Sequence, residues 1–403
     1  MRRDRVSILL AAALSVGLLA IWPHDAGAIP AFARKYRVSC MLCHGPAPRL
    51  TAFGEQFAAN GFQFARGEPM VDGVETGDPE LRLMSSLPLA VRLDAYVRSL
   101  RGGDAPNTDL QAPWSIKLLS GGQIADNVSY YLYFFMSERG EVAGLEDAYV
   151  QFSDLFGSGV DLLVGQFQVS DPLFKRELRL EYEDYQAYRV RVGDTQADLT
   201  YDRGFLAAYS PWEGADLSVQ LLNGRGLSEA SEARLYDRDD WKNVAVRLSQ
   251  SVDRIRLGGF AYFGVEESDG LKSEIRIYGP DATVAFGPRL ELNAQYLRRT
   301  DERPFFSDVI EPDTEVDMGF AELVFSPWGA AGKWFFTALY NHVEADEAIF
   351  SIRQGEEELL KRFRSGALGA NYMLARNLRL TGEAQYDLDA EDVRLVVGFM
   401  SAF

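Results

Sequence analysis

The chain has 403 residues, a net charge of −18 from 41 basic against 59 acidic side chains, and only two cysteines. Such acidity excludes a nucleic-acid partner, whose phosphates demand a basic surface. With 25 Phe, 18 Tyr, 6 Trp and 36 Gly, the composition is also unusual for a soluble protein of the cell envelope.

Residues 1–28 begin with Arg2, Arg3 and Arg5, continue through an apolar run and end in Ala26-Gly27-Ala28. This pattern predicts a secretory signal peptide cut before Ile29. A retained anchor is the competing reading, and the small residues at the end favour cleavage. Beyond this stretch no apolar run is long enough for a helical membrane span.

Residues 29–86 form a short segment ahead of the predicted strands, and in it lies Cys40-Met41-Leu42-Cys43-His44. Two thiols at this spacing can each add across a vinyl group of haem, and the histidine behind them is placed as an axial ligand of the iron. A thioredoxin-like redox pair would need a preceding strand and a parallel αβ pattern after it. A zinc site would need two further ligands, yet His24 and His342 are the only other histidines and no third cysteine exists. The expected cofactor is therefore one covalent haem c on Cys40 and Cys43, with His44 as proximal ligand.

For the distal position, Met70 in Gly67-Glu68-Pro69-Met70 is the first candidate, with Met84 and His342 behind it. A methionine would raise the potential relative to bis-histidine ligation. The ordinary alternative is packing for the methionines and a rim position for His342. Leu50, Phe53 and Phe57 share one face of a helix that Asn60-Gly61 closes. That stripe suits packing on a porphyrin or docking on a larger body equally well.

From 87 to 403 the sequence falls into about sixteen short alternating segments. Leu290, Leu292, Ala294 and Tyr296 alternate with Arg289, Glu291, Asn293 and Gln295; 378–386 and 216–221 repeat the pattern. Their connectors mostly alternate between short and long, which a soluble sandwich or propeller would not require. The predicted fold is thus an all-β transmembrane β-barrel of porin type, about 16 antiparallel strands facing lipid outside and a polar lumen inside. Short turns and both termini are expected in the periplasm, long loops outside. Tyr209-Ser210-Pro211-Trp212 and Phe325-Ser326-Pro327-Trp328 suit an interfacial aromatic girdle. The last segment, Val393 to Phe403 in alternation, resembles the C-terminal assembly signal of bacterial barrels.

The stretch after the signal resembles the fused monohaem c-type cytochrome–porin family of bacterial outer membranes. The resemblance rests on Pro30 to Arg34, Cys40 to His44, Pro48, Leu50, Phe53-Gly54, Phe57 and Asn60-Gly61-Phe62. It implies an outer-membrane location, a porin-like barrel behind the haem segment, and single-electron transfer between an extracellular redox partner and a periplasmic cytochrome or other carrier. The family includes outer-membrane cytochromes proposed to take electrons from ferrous iron, and other members without that role, so the donor does not carry over. Outer-membrane lipid and lipopolysaccharide are the expected surroundings.

A segment this short is marginal as a free-standing domain, and a barrel of sixteen strands leaves an aqueous lumen. The haem segment is therefore expected to enter and plug the lumen. The long connector 171–202, the third outer loop, carries Phe174, Lys175, Arg176, Arg179, Tyr182, Tyr185, Tyr188, Arg189 and Arg191. It either folds inward as in porins or stays on the surface with its arginines paired to Glu177, Glu181 and Glu183. Acidic loop clusters (Asp308, Glu311, Asp313, Glu315 and Asp317; Glu344, Asp346 and Glu347; Glu356, Glu357 and Glu358) read as solvated loops rather than an iron site. Two other functions compete with electron transfer: a solute-conducting porin with a haem-bearing plug or sensor, and a haem enzyme with an open iron position.

Overall fold

The structure is a computed structural model and describes residues 31–403 except 66, 67, 69, 71, 72, 79, 103–106, 139, 308–312 and 353–357. The signal segment, Ile29, Pro30, Gly67, Pro69, Asp308, Glu311, Glu356 and Glu357 lie outside the described residues.

Sixteen strands close into one barrel. They are β1 (Leu89–Arg101), β2 (Asn107–Ala125), β3 (Val128–Glu138), β4 (Gly144–Phe152), β5 (Asp161–Gln168), β6 (Tyr201–Tyr209), β7 (Ala215–Leu222) and β8 (Asn243–Val252). The circuit continues with β9 (Ile255–Ser268), β10 (Leu271–Phe286), β11 (Leu290–Asp301), β12 (Thr314–Phe325), β13 (Trp334–Ala345), β14 (Arg362–Ala375), β15 (Leu378–Asp387) and β16 (Val393–Ala402). Each strand pairs antiparallel with its sequence neighbours, and β16 returns to β1 with Val393 opposite Arg101 and Ala402 opposite Arg92. Closure leaves no strand edge unpaired, which the interior of a bilayer requires. The expected antiparallel, porin-like barrel is observed.

Period-two alternation sorts the side chains. On β11, Tyr296 is exposed on the outer wall while Asn293 and Gln295 are buried on the inner one; on β7, Val219 and Leu221 point out and Ser218 and Gln220 in. Apolar outside and polar inside is the order that lipid selects. Trp212 and Trp328 are exposed in turns at one end of the barrel, as a girdle demands. That end is closed by tight turns such as Asp126-Asn127, Asp253-Arg254 and Arg376-Asn377. The opposite end carries the long connections 169–200, 223–242, 302–313 and 346–361. Alternation is not strict, because Asp269-Gly270 on that end is itself a two-residue turn, with φ of 52° and 82°. Both central residues are left-handed, the geometry that fits a hairpin to twisted strands.

Among the described residues, the lumen holds an inward loop, to which residues 349–352 of the last long connection are paired, and the motif segment. The third loop at this end, 169–200, folds inward, settling the alternatives left open by the sequence. Tyr182 and Glu183 donate backbone N–H bonds to Glu383 on β15, Tyr185 Oη donates to Glu322 on β12, and Tyr188 Oη to Gln295 on β11. Its arginines do not pair chiefly with Glu177, Glu181 and Glu183. Arg176, Arg179 and Arg189 converge on Asp184 instead.

The expectation of a uniformly polar lumen needs correction. Inward positions such as Phe260, Ile275, Leu297, Met318, Phe320 and Val343 are apolar and pack against Phe174, Tyr188, Val190 and Leu199 of the inward loop. The loop keeps water off this part of the wall, so burying apolar side chains there is favourable.

Candidate functional site

The second lumenal segment is 31–64, which bears the Cys-x-x-Cys-His motif. It holds helix α1 (Ala31–Tyr36), a 3₁₀ turn at Cys40–Leu42 and helix α2 (Ala52–Ala59). Ser39 caps the turn by accepting the Met41 N–H at 3.3 Å. Thr51 serves two elements: its Oγ1 accepts the Gly54 N–H at 3.1 Å and donates to the Leu42 carbonyl at 2.8 Å. Gly54 has to be glycine for a local reason, since a Cβ there would lie 2.2 Å from the Cys43 carbonyl oxygen. Helix α2 therefore packs backbone to backbone on the motif.

Cys40 and Cys43 are half-buried free thiols three residues apart, and a 3₁₀ turn brings such positions onto one side. Burial raises both above their ordinary value, so they rest as thiols. His44 follows directly, its N–H bonded to the Cys40 carbonyl at 2.9 Å. His44 Nδ1 lies 3.0 Å from the Pro48 carbonyl oxygen. A carbonyl can only accept, so the proton sits on Nδ1 and Nε2 carries a bare lone pair. Burial lowers the imidazole further than its bond to the Pro48 carbonyl raises it, so the ring is neutral. Two thiols on one side of a turn and an adjacent neutral imidazole with an oriented free nitrogen fit a c-type haem.

An aromatic cluster docks this segment on the wall. Phe32 stacks on Phe62 at 4.9 Å between centroids, and Phe57 meets Phe32, Tyr36, Phe53 and Phe64. Phe62 in turn stacks on Tyr131 of β3 at 5.2 Å. Gln151 Nε2 on β4 donates to the Ala59 carbonyl at 2.6 Å. Across the lumen, Arg49 is ion-paired with Glu291 of β11, and Gly45 rests on Ala330 in the β12–β13 turn. In a ring of sixteen strands β3 and β11 are diametrically opposite. The segment thus spans the tight-turn mouth of the barrel from wall to wall.

Of the residues expected at the site, Cys40, Cys43 and His44 come together. Phe57 is committed to docking, and Leu50 lines a cavity of about 330 Å³ between the segment and the inward loop. Met70 lies in its own loop with Sδ beside Gly73, and Met84 Sδ lies against Gly122 on β2. His342 is on the outer face of β13, near Tyr340 and Glu344, and cannot reach a group in the lumen. The alternation marks Glu291 only as an inward polar position, and it does not mark Arg49, whose one signal in the sequence is its place five residues behind His44.

On the far side of the segment, a lumenal cavity of about 850 Å³ lies between the inward loop and β1, β2, β15 and β16. Glu177 at its wall accepts Lys117 Nζ and Tyr133 Oη, each at 2.9 Å. Burial opposes its ionisation, yet Lys117 and Arg92 hold the carboxyl down at about 2. Asp184 is likewise held far below the carboxylate range, its three arginines outweighing burial. Glu181 is driven the other way, by burial and then by the neighbouring Glu322 and Glu383.

No family model and no curated protein matches this chain. Among solved structures it is similar in fold to an anion-selective porin from Comamonas acidovorans, with TM-score 0.58 and 11% identity over 79% of this chain and 99% of that one. The outer membrane channel DcaP of Acinetobacter baumannii gives TM-score 0.53 and 10% identity over 79% and 97%. Salmonella typhi OmpF, solved with daunomycin, gives 0.52 and 11% over 82% and 100%. At such identities the likeness defines the class by fold alone, a porin-type transmembrane barrel.

Proposed function

We propose that this chain is an outer-membrane cytochrome–porin that passes single electrons between an extracellular redox partner and periplasmic carriers. The observation that carries this reading is the docking of the Cys-x-x-Cys-His segment inside the barrel mouth, with His44 Nε2 bare and oriented. When bound at Cys40 and Cys43, haem c supplies one-electron chemistry at its iron.

The chain's own residues do the rest. The Pro48 carbonyl fixes the His44 tautomer, and Thr51 and Gly54 lock the motif against α2. The Arg49–Glu291 and Phe62–Tyr131 contacts hold the motif within the barrel rather than below it. A group hanging below would face an apolar band of about 25 Å. With tight turns assigned to the periplasm, the segment lies at the periplasmic mouth. The cavity of about 850 Å³ beside the inward loop then admits a small soluble partner, ferrous iron among them, more readily than a protein. Met70 is the proposed distal ligand: Met70→Ala should lower the reduction potential, and an unchanged potential removes it from the site.

Solute conduction is the second reading, favoured by the porin neighbours and by the same cavity. Vesicles holding the purified protein and a trapped redox dye separate the two. External ferrous iron or dithionite should change the dye with the parent protein and fail to do so with Cys40→Ala/Cys43→Ala or His44→Ala. Equal dye responses in all three would overturn electron transfer and leave diffusion through the lumen.

A further inference from the structure

Most inward guanidiniums in this barrel meet a carboxylate. Arg92 pairs with Asp94, Arg176 with Asp184, Arg247 with Asp281, Arg299 with Asp301 and Arg394 with Glu183. Arg379 on β15 does not. It is 2% exposed, no carboxylate among the described residues lies within ion-pair distance, and its Nε has no hydrogen-bond partner. Its one hydrogen bond among the described residues is long, from Nη1 to the Ala47 carbonyl at 3.4 Å. Asp94, the carboxylate nearest in register, is already taken by Arg92 and Ser115. A buried guanidinium without a counter-anion is costly, and the cost falls when an anion is brought to it.

Two facts limit which anion that is. Ala47 belongs to the motif loop, three residues from His44 and one from the Pro48 carbonyl that orients its ring. Arg379 also lines the 850 Å³ lumenal cavity, so its side chain sits between that cavity and the motif loop. Among the described residues Arg98 and Arg256 lack carboxylate partners too, but both are less buried and neither bonds to the motif loop. A haem tethered at Cys40 and Cys43 would bring two propionate carboxylates with it. A guanidinium offers the paired donors that a carboxylate takes.

We infer that Arg379 is the carboxylate anchor of the motif site, receiving a propionate of the haem held by Cys40, Cys43 and His44. This rests on the haem reading above. The same chemistry would also serve a free carboxylate or oxyanion passing through the lumen, and the test separates the two sources.

The test uses the haem-loaded full chain in detergent, as parent, Arg379→Gln and Arg379→Lys, with haem content read from absorbance and the midpoint potential measured across pH. Haem content should match in all three, because the thioether cysteines are intact. Arg379→Gln should lower the potential, since losing a nearby positive charge favours the ferric state. It should also add a pH-dependent step near neutrality, as the propionate is no longer held ionised. Arg379→Lys should keep most of the parent behaviour. A potential and pH profile unmoved by Arg379→Gln overturns the proposal. So does the companion result in which Arg379→Gln alters anion preference of the haem-free Cys40→Ala/Cys43→Ala barrel in potassium chloride but leaves the loaded protein's potential alone; the anchor then serves a solute. A parent protein without covalent chromophore overturns the haem reading and this proposal together, and is seen before any variant is compared.

Discussion

Arg49, in the loop behind His44, is ion-paired with Glu291 of β11 on the wall opposite the Phe62–Tyr131 stack. The two side chains are 20% and 31% exposed, between a surface pair and a sealed one. Their contribution to holding the segment is on the order of 1–3 kcal/mol. Glu291→Ala should therefore make residues 31–64 several-fold more sensitive to limited proteolysis while the circular dichroism of the barrel is unchanged. A double-mutant cycle with Arg49→Ala checks the assignment: purely additive effects would show that the pair is not the tether.

Gly54→Ala tests the contact between α2 and the motif. The added methyl would sit 2.2 Å from the Cys43 carbonyl oxygen, so helix and motif have to separate. Overpacking of this kind costs about 1–3 kcal/mol, and it acts where the thiols must be presented. The expected outcome is a clear loss of covalent haem per protein, read by absorbance after expression with a working maturation system. Glu55→Ala, on the exposed side of the same helix, should retain full loading.

The barrel and the motif were both legible because each rests on local pattern. Strand alternation is written residue by residue, as in 290–296, and Cys40, Cys43 and His44 are neighbours in sequence. What escaped were contacts between distant positions. Nothing in the sequence links Arg49 to Glu291, Phe62 to Tyr131 or Ala47 to Arg379, because closure of the barrel creates those meetings. The apolar inner wall escaped for a similar reason. Val316, Met318 and Phe320 conflict with a wet lumen until the inward loop covers them.

Docking of the inward loop should weaken as pH rises, through Glu181. Its carboxyl is raised by burial and then by Glu322 and Glu383, so the docked loop binds a proton that the released loop gives up. Stability of docking then falls with pH from the ordinary glutamate range up to the raised value. Asp184 and Glu177 act with opposite sign, their held-down carboxyls contributing above the ordinary range and losing that contribution as pH falls through their depressed values. Proteolysis of 169–200 across pH should show rising sensitivity on the alkaline side, and Glu181→Gln should flatten it. An unaltered profile in that variant would remove Glu181 as the cause.

Release of the plug should require both walls. The Phe62–Tyr131 stack contributes about 0.5–1.5 kcal/mol beyond the area it buries, comparable to the ion pair facing it. With either contact removed, the other still holds one side of the segment in the mouth, and Gln151 keeps Ala59 beside β4. Tyr131→Ala and Glu291→Ala should each raise single-channel conductance in planar bilayers only modestly. The double variant should raise it by more than the two added together, because only then can the segment swing clear of the tight-turn end. Equal conductance in parent and double variant would mean that the narrowest passage lies at the inward loop, where Glu383 and Glu322 hold Tyr182 and Tyr185.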